Sequence, residues 1–262
     1  MAQPSESTST PTTPSTPAHQ DGFPAATLQA RRFCQIFRHL SVKRNPAHGA
    51  IEDAESRLAR PQGSVGWLAF PNPSALDTTF PAALLRLWQS CQAAYGAVPA
   101  QNQSADPPKP ELAPESCQGF HENGFGIAYG DFHVIPIQLG GLHKGSSATD
   151  AYRDLGKNGQ SPLFLYETLA LLVGIPDVAQ QIMQGTASLR LLERIRDSLN
   201  PADHLLKRKG RNRVPEFAVL SGNGSQILLS GDPSPNKVPE AGHGIGLATR
   251  FAVATPHTYA CR

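Results

Sequence analysis

Histidines and carboxylates gather in one short stretch of this chain, at His121, Glu122, Asp131, His133 and His143. Side chains two positions apart on a strand share a face. Asp131 and His133 could therefore act as a pair, the carboxylate orienting the imidazole for base catalysis or for a metal. A turn would give Asp131 a plainer role, and Ile135 and Ile137 continue the parity of His133 towards a core edge. Neither H-E-x-x-H nor C-x-x-C occurs, so no metal site is predicted. Glu167 is the lone charge between Ser161 and Pro176. A carboxylate in so apolar a segment must reach solvent, meet a cation or keep a raised pKa, and Arg213 is a cation that could neutralise it. A hydrolase-like enzyme would draw its acid–base groups from His133, Asp131 and Glu167.

Lys207, Arg208, Lys209, Arg211 and Arg213 form a second constellation, with no acid among them. The chain's net charge is only +2, so the positive field is local. Such a field attracts an anionic small molecule or an acidic protein partner, and this binding role is the leading functional expectation, with Lys207, Arg208, Lys209 and Arg211 as ligand-binding residues. His243, between two glycines, is a further candidate, on a loop that could bring an imidazole to the ligand. The plainer alternative for the cluster is a solvated connection between a helix and a strand. Within it, Lys207, Arg208 and Lys209 read as solvent-facing, whereas Arg211 and Arg213 stand where a strand begins and could pair internally. Nucleic acid is not expected, because no aromatic residue interleaves the cations before Phe217 and the pI of about 8.4 is only mildly basic.

The glycine-rich stretches at 124–130 and 242–246 miss the spacing of a dinucleotide fingerprint, and the chain has neither a phosphate-binding P-loop nor a G-x-S-x-G elbow. No cofactor is assigned. Cys34, Cys91, Cys117 and Cys261 lie far apart, which predicts free thiols in a reducing compartment.

Residues 1–24 are dominated by Ser, Thr and Pro and lack lysine and arginine, so a disordered tail is predicted there. The tail reads first as a solubilising extension of a cytoplasmic protein. Alternatively it is the export leader of a secreted bacterial effector using a non-classical system. It lacks the basic start and apolar core of a signal peptide, and no window reaches the roughly 18 apolar residues of a membrane span.

The elements that would position these residues suggest an α+β fold, with a mixed or antiparallel sheet and packed helices. A mainly helical part is expected over 25–96, a proline-rich linker or loop over 97–116, and an α+β domain over 117–262. Apolar spacing predicts helices from Ala25 to Leu40, Ile51 to Arg60 and Phe80 to Tyr95, and a strand from Val65 to Phe70. Further on, a hairpin turns at Gly130-Asp131. Ser161-Pro162 looks like the start of an apolar helix, Pro176 opens a short one, and Ser188 to Leu199 carry a helical stripe. Two strands then flank Gly222-Asn223-Gly224, and a last strand lies between Ile245 and Val253.

Overall fold

A computed structural model describes residues 23–99, 126–143, 145–198, 207–208, 211–232, 235–238 and 246–253. The fold is α+β, with helices packed on two sheets. Helices α1 (Ala26–Ile36), α2 (Ile51–Arg57), α3 (Pro73–Leu76) and α4 (Phe80–Tyr95) lie in the first third of the chain, with strand β1 (Gly66–Pro71) among them. Thr79 caps α4 by accepting the Ala82 N–H, and Pro81 occupies its first turn. Gly96 ends the helix in the left-handed region, with φ 59°, where a Cβ would be penalised.

The first sheet runs β1, β4 (Phe132–Gln138), β10 (Thr249–Phe251), β5 (Gln160–Pro162), and β3 (Ile127–Tyr129) forms the predicted hairpin with β4. Strand β4 is central because its alternating apolar residues are nearly all buried. The outer edge of β1 would leave backbone groups unpaired, and α1 supplies the remedy. Gln29 donates to the Trp67 carbonyl at 2.7 Å and accepts the Ala69 N–H at 2.9 Å, so its amide stands in for a neighbouring strand. Gln29→Ala strands both groups in a buried place and is expected to lower unfolding stability by about 2 kcal/mol. Urea melts measure this, and an unchanged midpoint would mean that the edge is satisfied in another way.

The second sheet runs β2 (Val98–Pro99), β9 (Ile227–Gly231), β8 (Arg211–Gly222), β6 (Leu189–Ser198), with β7 (Lys207–Arg208) also on β8. Among the described residues only β2 and β9 pair in parallel in this sheet. Helices α5 (Ala148–Leu155), α6 (Leu165–Gly174) and α7 (Pro176–Met183) complete the fold. Every residue of α6 is buried, as its all-round apolar sequence requires. Buried side chains from α1, α4, β1, β4, α6, α7, β8 and β9 belong to one continuous apolar cluster. Among the described residues no helix is long and apolar enough to cross a membrane.

Four expectations need correction. The stretch expected as a helix over Ser188 to Leu199 instead holds strand β6, Leu189–Ser198. Nine register pairs with β8 outweigh the local helical spacing, and Leu189 and Leu191 enter the core two positions apart. Ser161-Pro162 ends strand β5 and does not open α6. Here the Leu163 N–H donates to the Ala248 carbonyl and the Leu163 carbonyl accepts the Leu192 N–H, which holds the chain extended and ties the two sheets together. The helix starts after Phe164 instead, whose N–H is accepted by Glu167 Oε2 at 3.0 Å. Val98-Pro99, expected in the linker, extends the second sheet, and residues 100–125 lie outside the described region. At the N-terminus, Phe23 and Pro24, expected in the tail, belong to the fold. Phe23 packs partly buried against the core, and the Pro24 carbonyl accepts from Gln29. Residues 1–22 lie outside the described region.

Candidate functional site

The four described cations of the basic cluster lie on strands. Lys207 and Arg208 form β7, Arg211 and Arg213 open β8, and register sets Lys207 opposite Asn212 and Arg208 opposite Arg211. On the other side of β8, β6 runs out to the same end, with Arg194 opposite Glu216, Arg196 opposite Val214 and Asp197 opposite Arg213. Strand β9 supports β8 only from Ala218 to Gly222. The outer halves of β6 and β8, together with β7, therefore make a narrow ribbon carrying six lysines and arginines against three acids, Glu193, Asp197 and Glu216.

The register also decides which cations have an acid opposite them. Arg194 and Arg213 do. Arg196, Lys207, Arg208 and Arg211 face valine, asparagine or each other across the ladder. Like charges directly opposite destabilise a sheet, and an external anion relieves that cost. Arg211, expected at a strand entry, has Arg208 as its ladder partner. Lys209 and His243 lie outside the described residues, as do His121 and Glu122.

The residues expected for acid–base chemistry are engaged in the fold. Asp131 Oδ2 accepts the Ser41 N–H at 2.7 Å and the Ser41 hydroxyl at 3.2 Å, pinning the Gly130-Asp131 turn to the segment after α1. His133 is half-buried and stacks on Phe70, with ring centroids 5.7 Å apart. Glu167 is wholly buried; its Oε2 holds the helix start, and its Oε1 lies 2.5 Å from Arg250 Nη1. Arg250, not Arg213, is the counter-charge. Its guanidinium also sits over the Phe164 ring, 5.2 Å from the centroid, where the quadrupole favours a cation.

Burial pushes the Glu167 carboxyl above its usual value, outweighing the lowering effects of Arg250 and the Phe164 N–H. On β4, Arg250 pairs with Ile137, four residues and so about 13 Å along the strand from His133. This arrangement offers no observation in favour of hydrolysis by His133, Asp131 and Glu167.

Sequence reasoning missed several buried polar residues. Arg190 Nε lies 2.7 Å from Asp232 Oδ2, both side chains being almost fully enclosed. Gln138 donates to the Leu247 carbonyl and to Thr249 Oγ1, while Thr249 and His143 both reach Gln160 Oε1. For Arg250 a signal existed: it stands alone among apolar neighbours in its strand, as Glu167 does in its helix, and two such isolated opposite charges are natural partners. Of the cysteines, Cys34 and Cys91 carry free thiols. Burial pushes the Cys91 thiol up to about 12, which makes it an inert core group.

No family model matches the chain, and neither a curated protein nor a solved structure matches it.

Proposed function

We propose that the protein is a binding module that takes an acidic segment of a partner protein on the β6–β8–β7 ribbon. The observation that carries this reading is the register, which converts a linear run of cations into a patch across adjacent strands. Single-stranded nucleic acid fits less well. Residues 193–216 contain no Phe, Tyr or Trp on which bases could stack, and the ribbon's acids Glu193, Asp197 and Glu216 would repel a continuous phosphate backbone. An acidic peptide, with its charges spaced along a flexible chain, can meet the cations and avoid those acids.

A fluorescent glutamate-rich peptide tests the proposal. The wild-type chain is expected to bind it with an affinity that falls as salt rises. Reversing Lys207, Arg208 and Arg211 to Glu together should weaken binding by about tenfold or more, within what three ion pairs in water contribute. Equal affinity of the reversed chain would overturn the assignment, as would tighter binding of a single-stranded oligonucleotide.

A further inference from the structure

A cleft of about 340 Å³ opens between α1 and the junction of α6 with α7, remote in sequence from the ribbon. Its volume falls at the small end of small-molecule sites, which pair apolar walls with a few convergent polar groups. Pro24, Leu28 and Pro176 supply apolar lining, and Arg31 and Arg32 the positive charge. Leu28, a large apolar residue, is 56% exposed. Leu28, Arg31, Arg32 and Gln35 follow helical spacing and so share one face of α1, which brings an apolar contact and two cations to the same opening.

We propose that this cleft binds a small monocarboxylate with an apolar tail. The carboxylate sits on the arginine side, because Asp177 lines the cleft from the first turn of α7 and repels an anion there. Arg32 lies near Tyr95 and is exposed. Arg31 lies 4.0 Å from Glu52, both side chains being more than half exposed. So loose a surface pair gives up little when Arg31 turns to a ligand. With Glu52 and Asp177 nearby, the net field suits one negative charge better than the two of a phosphate monoester. The tail lies along Leu28 and the two prolines, removing apolar surface from water.

Calorimetric titration of the full chain with octanoate, 1-octanol and octylamine tests this. Octanoate is expected to bind, 1-octanol about tenfold more weakly because it lacks the charge-assisted hydrogen bonds, and octylamine more weakly still. N-acetyl-leucine, run beside octanoate, distinguishes a peptide-like carboxylate from a fatty acid; preference for either remains within the proposed class. Leu28→Asp and Arg32→Gln should each reduce octanoate binding without moving the melting midpoint, since both positions are exposed. Arg208→Glu on the ribbon should leave it unchanged, which separates this site from the one above. Octanoate binding no tighter than octanol, or insensitive to both cleft variants, would refute the proposal.

Discussion

Replacing Arg250 with methionine is expected to lower unfolding stability by about 3–5 kcal/mol, because a buried carboxylate loses its only described cation. Arg250 and Glu167 are almost fully enclosed, so neither can be rehydrated without opening the core. The double variant Glu167→Leu/Arg250→Met should recover much of the loss, since apolar residues of similar volume often replace a buried pair at little cost. If the double variant were as unstable as Arg250→Met, the damage would come from packing and not from charge.

The same pair makes a testable contribution to pH dependence. Burial raises the Glu167 carboxyl above its ordinary 4.5. Over the interval between that value and the folded one, the native chain holds a proton that the unfolded chain releases. The resulting stability is complete below the ordinary value and is lost as pH rises through the folded one. Urea melts across this range should show that decline in the wild type and its absence in Glu167→Gln.

The second large effect belongs to Gly222, the last residue of β8. A Cβ there would overlap the carbonyl oxygens of Ile182 and Met183 at the end of α7, and backbone cannot move aside as a flexible side chain can. The contact is close because the β8–β9 turn caps that helix: the Gly224 N–H donates to the Met183 carbonyl at 2.9 Å, satisfying a group that α7 leaves open. Gly222→Ala is expected to cost about 3 kcal/mol, read as a lower denaturation midpoint. Gly224→Ala is the useful contrast. Its neighbourhood is open, but its φ of 96° disfavours a side chain, so its cost reports backbone strain alone.

What the sequence revealed depended on whether a local signal matched the tertiary demand. Phe80 to Tyr95 carries its own cap, its first-turn proline and its terminal glycine, and the helix has the predicted bounds. Gly130-Asp131 likewise marks its hairpin, and Gly222-Asn223-Gly224 its turn. The Ser188–Leu199 stretch deceived because its leucines and isoleucine satisfy a helical spacing as well as an alternating one, and only pairing with β8 decides between them. Ser161-Pro162 resembles a helix start, yet the backbone bonds of Leu163 to Ala248 and Leu192 hold it extended.

For the candidate site, the cations were plain in the sequence but their arrangement was not. A run of charges has no period that reports a strand, so the opposition of Arg208 to Arg211 emerges only from the register. The partner of Glu167 was marked by its isolation among apolar residues but not by nearness in the chain. Arg250 is 83 residues away, and a proline-rich stretch and four strands of the second sheet intervene.

The central claim, that the ribbon receives an acidic segment, is tested most directly by amide chemical-shift mapping of the full chain during titration with a glutamate-rich peptide. The account predicts that the largest shifts fall on Arg194 to Ser198, Lys207, Arg208 and Arg211 to Val214, and that they shrink as salt is added. Shifts concentrated elsewhere, or none at peptide concentrations well above the protein's, would contradict it.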